Sequence, residues 1–246
     1  MTIKSPDNFE GVVVKSNPYK ESDALLSVYT MQYGLITLHA RGLYKAKSKN
    51  LAACQTITKS EFEGIVKVGI SNLIRANSMN YYKNIKSDIE KEIVANYMLE
   101  YIYISQSINQ PSKIIYDTLT ILLDELNQGV QPKLIYCKYM DFILKQSGSK
   151  LKLTSCAHCL KKDGIVGISI KEGGFICQNC INKHDLFLEV DILKVIHYIS
   201  ACPLIKIKDL QFSDEQYLQA SKIFTLFIDE YCGLYFKTRK FLKEIW

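Results

Sequence analysis

Between residues 9 and 82 the apolar positions come in short β-branched and aromatic runs, separated by turn signals. FEGVVVKS opens the series, and ALLSVYT follows the turn-like NPYKESD. GLITLHARG begins at Gly34, a turn residue, and TITKSEFEGIVKV and NLIRANSMNYY complete a set of roughly five strands. Five short strands escape bare edges most simply by closing into a small barrel. The longest polar interruption, RGLYKAKSKN at residues 41–50, is a basic loop between strands.

From residue 87 the period changes from 2 toward 3.6. Ser87-Asp88-Ile89-Glu90 reads as a capping box, opening a long helix with Ile89, Ile93, Tyr97, Tyr101, Ile104 and Ile108 on one face. Pro111 and Ser112 start a second helix, containing Ile115, Leu119, Leu122, Leu123 and Leu126, with Gly129 placed at its C′ position. Pro132 starts a third that ends near Gly148. Further helices are expected over Leu188–Ser200 and, after the capping box Ser213-x-x-Gln216, over Asp214–Cys232. The expected architecture is α+β and multidomain. A β-barrel at 1–82 precedes an all-α helical domain at 83–246, and a cysteine module at 154–184 is inserted in that domain.

The module reads CAHCLKKDGIVGISIKEGGFICQNC over residues 156–180. Cys156, Cys159, Cys177 and Cys180 form two Cys-x-x-Cys knuckles, a spacing that reads as a zinc site. Each knuckle turns two thiolates toward one point, and two knuckles complete a tetrahedron. GIVGISI and GGFIC, joined around KEGG, form a hairpin that brings the knuckles together. The bland alternative is four buried thiols. His158 and His184 lie near as substitute ligands, but four cysteines already fill the shell. A full thiolate shell leaves no position for water or substrate, which argues for a structural ion. Cys54, Cys137, Cys202 and Cys232 stand singly and read as small buried hydrophobes.

Charge shifts attention away from the cysteines. The net charge is +6. Residues 1–82 carry 10 Lys/Arg against 6 Asp/Glu, and residues 151–187 carry 5 against 3, while the remaining segments balance. Four thiolates around a divalent ion cancel the second excess, so the unbalanced positive charge lies in the barrel. Its loop holds Arg41, Lys45, Lys47 and Lys49 around Tyr44, with Lys15, Lys20, Lys67 and Arg75 on neighbouring strands or turns. Charge alone fits a solvated loop equally well. A barrel of the OB type, however, binds single strands with a cationic groove and aromatic platforms. Tyr19, Tyr33 and Tyr44 are the candidate platforms, and each is also a candidate for the core. Only Arg41, Arg75 and Arg239 among the 31 basic residues are arginine, which suits phosphate contact by point charge over forked readout of bases.

No P-loop, no G-x-S-x-G elbow and no His-x-Glu partner for the cysteines is present, so no enzyme is expected. The opening MTIKSPDNFEG lacks an apolar leader segment, and no run reaches the ~18–20 apolar residues that span a bilayer. A cytoplasmic protein with reduced thiols and no membrane partner is the expectation.

In order and spacing the chain resembles the RecO family of bacterial recombination mediators, nearly end to end. EGVVVKSNPYKESDALLSVYTMQYGLITLHARGLYKAKSKN looks like the family's opening, with its E-S-D turn, its Y-G before the third strand and its A-R-G before a basic stretch. GLYFKTRKFLKEI looks like the family's C-terminal ending. The resemblance implies an N-terminal OB-fold, a helical domain and a structural zinc module. It implies binding of single- and double-stranded DNA, strand annealing, and help in loading RecA onto DNA covered by single-stranded DNA-binding protein. RecR and the C-terminal tail of the single-stranded DNA-binding protein are the implied partners, in a bacterial cytoplasm at the nucleoid during repair. Carried over by position, Arg41 matches the A-R-G arginine, and Lys45, Lys47 and Lys49 fall in the basic stretch. Lys138 and Tyr139 match two positions of a basic–aromatic–acidic triplet on the third helix, with Met140 in place of the acid, as a weak site for the tail. From another class, a protein–protein adaptor that meets DNA only through a partner fits the same composition.

Overall fold

The computed structural model describes residues 5–246. Its strands are β1 (Asp7–Tyr19), β2 (Asp23–Thr30), β3 (Gly34–Ala40), β4 (Lys59–Ile65), β5 (Ile70–Asn80), β6 (Ile165–Ser169), β7 (Gly174–Cys177) and β8 (Leu186–Phe187). Its helices are α1 (Lys83–Lys86), α2 (Ile89–Ser105), α3 (Lys113–Gln128), α4 (Pro132–Gln146), α5 (Val190–Ala201), α6 (Asp214–Tyr231) and α7 (Arg239–Ile245). Two compact units result. One runs to Gly129 and takes in Phe236–Ile245, while the other spans Val130–Tyr235 and adds Trp246.

In the first unit β1 to β5 close into a barrel in the order β1-β2-β3-β5-β4. Every pairing is antiparallel except the closure, where Thr37–His39 of β3 run parallel to Ile70–Asn72 of β5. This bears out the OB-type barrel. Alternate residues point inward, as the period of 2 requires: Ala24, Leu26 and Val28 from β2, then Ile36, Leu38 and Ala40 from β3. Phe9 stacks on Phe62 at 5.7 Å within that core. The run Val12-Val13-Val14 is buried throughout, which a strict alternation forbids. The cause is a slip in the β1–β2 register between Val13 and Lys15, where Val13 also exchanges hydrogen bonds with Ile57 and Thr58. Val13 joins the barrel core and Val14 faces an outer groove. Gly34 opens β3 at φ +66°, and a Cβ there would collide with the carbonyl of Gln110, so only glycine fits.

The helices of this unit correct two expectations. Asp88, not Ser87, caps α2, and its carboxylate accepts from the amides of Glu90 and Lys91 at 3.0 and 3.2 Å. Ser87 instead ends α1. The buried face of α2 is Val94, Ala95, Tyr97, Met98, Leu99, Tyr101 and Ile102. Ile89 and Ile104 are exposed, and with Ile93 they line a groove beside Val14, Tyr103 and Phe241. Ile108 lies beyond the helix and bridges to Leu35. Helix α7 is held onto α2 by Glu100, whose carboxylate accepts from the amides of Lys237 and Thr238 and from the Thr238 hydroxyl.

In the second unit α4 packs against α5 and α6. The Ser213–Gln216 box is present in both directions, at 3.2 and 2.9 Å. Helix α5 begins two residues later than expected, because Leu186–Phe187 pair with β6 as the third strand of the cysteine module. Among the described residues no helix is long and apolar enough to cross a membrane.

Candidate metal centre and basic loop

The hairpin β6–β7 brings the two knuckles together as the spacing predicts. The four sulfur atoms of Cys156, Cys159, Cys177 and Cys180 all lie within 4.8 Å of one another. Sulfurs on a tetrahedral ion with bonds of about 2.3 Å sit roughly 3.8 Å apart, so the cluster fits one ion. Burial would raise the Cys156 thiol, but amides of Cys159, Cys177 and His158 aimed at its sulfur bring it down to about 6. An amide-braced thiolate is the form a metal binds. Cys180 is pushed the other way, up to about 12, by burial and then by its three sulfur neighbours. Four close sulfurs cannot all ionise without a cation between them. Neither His158 nor His184 belongs to the group, and among the described residues no other set of three or more such ligands converges. The apolar core beside the sulfurs is small, with Ile176 buried and Ile165 and Ile181 partly so. So slight a core would gain from the added bonds of an ion held by the four sulfurs. The single cysteines Cys54 and Cys137 are buried, which raises their thiols, Cys54 to about 12.

The basic loop is anchored rather than loose. Leu43, Ala53 and Cys54 are buried in the barrel core. The side chain of Asn50 accepts from the amide of Ala76 on β5 at 3.1 Å, and Ser60 donates to the carbonyl of Ala53 at 2.8 Å. Just before the first of these anchors Arg41 is exposed, and between them Tyr44, Lys45, Lys47 and Lys49 are exposed as well. Arg75 lies on β5 one residue from Ala76, and pairs across the sheet with Glu63. Lys15 stands apart, with its ammonium 4.7 Å from the ring centre of Tyr103 at the outer groove. Of the aromatic candidates, Tyr44 is open to solvent with its hydroxyl 3.4 Å from Ser16. Tyr19 meets the ring of His39 edge-on at 5.7 Å, and Tyr33 packs on Phe9 as part of the core margin.

Sequence reading missed what holds the loop's first residues. Asp23, at the start of β2, accepts from the amide of Gly42 at 2.8 Å through one oxygen and meets His39 Nε2 at 2.8 Å through the other. The Gly42 amide, and after it His39, hold the Asp23 carboxyl below its ordinary range. The amide of Tyr44 donates to the carbonyl of Ser22 at 2.9 Å. Lys20, Glu21, Ser22, Asp23, His39, Arg41 and Lys45 thus surround one shallow pocket of about 540 Å³.

Lys138 and Tyr139 do not form a surface. Tyr139 is fully enclosed and Lys138 is 5% exposed. The Lys138 ammonium donates to the carbonyls of Ile199 and Cys202 at 2.8 and 2.6 Å, binding α4 to the C-terminal end of α5. Beside it Asp141 accepts from Lys145 at 2.6 Å and from Ser200 at 2.7 Å. Desolvation lowers the pKa of Lys138, against the pull of Asp141. This lysine has a structural task, and the expectation of a docking role fails on its burial.

A five-stranded barrel with a pinned basic loop, joined to helices that carry a four-thiolate cluster, defines a two-unit protein with a metal-binding module. The comparisons give that class its family. A family model described as Recombination protein O N terminal matches residues 5–82, and one described as Recombination protein O C terminal matches residues 86–240. The chain belongs to the RecO family of DNA repair proteins. It is 27% identical over 238 residues to the DNA repair protein RecO of Listeria monocytogenes serotype 4b (strain CLIP80459), covering 96% of this chain and 93% of that one. It is 27% identical over 250 residues to the RecO of Bacillus pumilus (strain SAFR-032), covering 100% and 95%. Against the RecO of Bacillus mycoides (strain KBAB4) the identity is 25% over 238 residues, covering 96% of each.

Proposed function

We propose that this protein is a non-enzymatic mediator of recombinational repair that binds DNA through its barrel. The observation that carries the reading is the anchored loop, which presents Arg41, Lys45, Lys47 and Lys49 around an exposed Tyr44. Lysine ammonium groups on such a loop meet backbone phosphates, and a tyrosine face stacks a base in any sequence context. Arg75 extends the surface, and Lys15 adds a cation at the outer groove. Neutralising two strands on one protein lowers the repulsion that opposes annealing. The family resemblance adds single- and double-stranded DNA as ligands and RecR and the single-stranded DNA-binding protein tail as partners. It also adds loading of RecA and a cytoplasmic setting at the nucleoid. The ion is zinc, and the cysteine donor set gives it a structural role.

The test is a titration of labelled single strands with the full chain and with a variant carrying Ala at 45, 47 and 49, across salt. Each lost phosphate contact flattens the slope of log affinity against log salt by about 0.7, so three contacts remove about 2. An unchanged slope overturns the assignment of this loop.

A further inference from the structure

We infer that Asp23 is the positioning residue of the basic loop, and that it holds Arg41 and Lys45 as two walls of a phosphate seat completed by Lys20. The inference rests on the DNA-binding reading and extends it to residues outside the loop. Asp23 is an unexpected residue at a polyanion surface, since its charge repels phosphate. Its two oxygens are nonetheless both committed inward, to the Gly42 amide and to His39. Gly42 has φ +65°, so the chain turns there through a conformation that few other residues adopt, and the Asp23 bond fixes that turn. The second tie, from Tyr44 to the carbonyl of Ser22, runs between the same two segments. Arg41 and Lys45 flank these ties on the loop, and Lys20 precedes them at φ +58° on the opposing turn. All three cations line the one shallow pocket. The ligand class is a phosphodiester oxygen of a nucleic-acid backbone. The geometry also gives a physical reason for two separated sequence features, the Glu21-Ser22-Asp23 turn and Ala40-Arg41-Gly42: each supplies half of one latch.

Two substitutions separate a latch from a mere nearby charge. Asn at 23 keeps an acceptor for the Gly42 amide and a group that can meet His39, while Ala keeps neither. As a latch, Asp23→Ala frees the seat and weakens binding of a labelled single strand to the full chain. A salt slope lower by about 0.7 per lost contact corresponds to about eightfold in affinity per contact at 50 mM salt. Asp23→Asn keeps the slope and tightens binding by roughly two- to threefold, the effect of removing one unit charge in a high dielectric. Were Asp23 only a repelling charge, both variants would tighten binding, and that result overturns the inference. Should Asp23→Ala fail to fold, Asp23→Thr replaces it: a single hydroxyl can meet at most one of the two partners, so weaker binding with a lower slope supports the latch, and tighter binding refutes it. A wild-type chain that binds no strand at low salt overturns the DNA reading and this inference together. A wild type that binds while Asp23→Ala matches it overturns the inference only.

Discussion

Replacing Lys138 with Met tests whether this residue is a structural tie or a docking site. The side chain keeps its volume and loses its charge. Two carbonyls at the end of α5, those of Ile199 and Cys202, then lose their donor inside the unit. Each buried acceptor left unsatisfied costs about 1–3 kcal/mol. Asp141 keeps Lys145 and Ser200, so it is not stranded as a lone charge. The expected loss is therefore at the low end of the ~3–5 kcal/mol typical of breaking a buried pair, near 3 kcal/mol. For a unit of this size that lowers its Tm by about 12 °C or more. The chain supplies its own probe: Trp246 is the sole tryptophan, and its ring lies 5.2 Å from that of Tyr136 on α4. Urea titration followed by its fluorescence should show a lower midpoint with an unchanged m-value. A loss below about 1 kcal/mol, with a selective defect in partner binding, would refute the structural assignment and return Lys138 to the surface role.

Two further outcomes follow from the site and its surroundings. Cys156→Ser should release the metal, measured by a chromophoric chelator, and destabilise the second unit, while the full chain's affinity for single strands at low salt stays within about twofold because the basic loop is elsewhere in the sequence. Loss of strand binding by a chain that remains folded would contradict the separation of metal from ligand. Lys86 donates to Thr58 at 2.7 Å and sits 3.6 Å from the ring centre of Tyr81, and desolvation brings its pKa down to about 8, against the opposing pull of Glu92. The unfolded chain holds that proton more tightly, so stability should rise between about pH 8 and 10. Beyond about pH 10 the buried tyrosines Tyr82 and Tyr116, whose pKa values are raised chiefly by desolvation, act in the opposite sense. Lys86→Met should flatten the rise in a denaturation series across that window, and a rise of full size in the variant would show that other groups cause it.

The barrel and the cysteine cluster were legible because each rests on local chemistry. Alternating apolar runs specify strands, and two Cys-x-x-Cys knuckles specify convergent thiolates. Ser213 and Gln216 were equally plain, three residues apart on one turn. What sequence pattern did not show depends on distance along the chain. Asp23 and Gly42 are 19 residues apart, and nothing in either stretch reveals that a carboxylate meets an amide across two strands. The stripe on α2 misled because a helix packed within a unit can bury one apolar face and leave another at a groove, so periodicity alone could not choose between Ile89 and Met98. Lys138 misled for the opposite reason. A lysine on a helix is ordinarily a surface residue, and only the carbonyl end of α5 makes a buried ammonium tenable here.

The central claim is that this chain holds DNA by itself, through cations on its barrel. Fluorescence anisotropy of a labelled single-stranded oligonucleotide, titrated with the purified chain alone at several salt concentrations, measures it most directly. The account predicts saturable binding without any partner, with log affinity falling linearly in log salt by about 0.7 per phosphate contacted. Absence of binding at low salt until a partner protein is added would contradict it and favour an adaptor that meets DNA only through that partner.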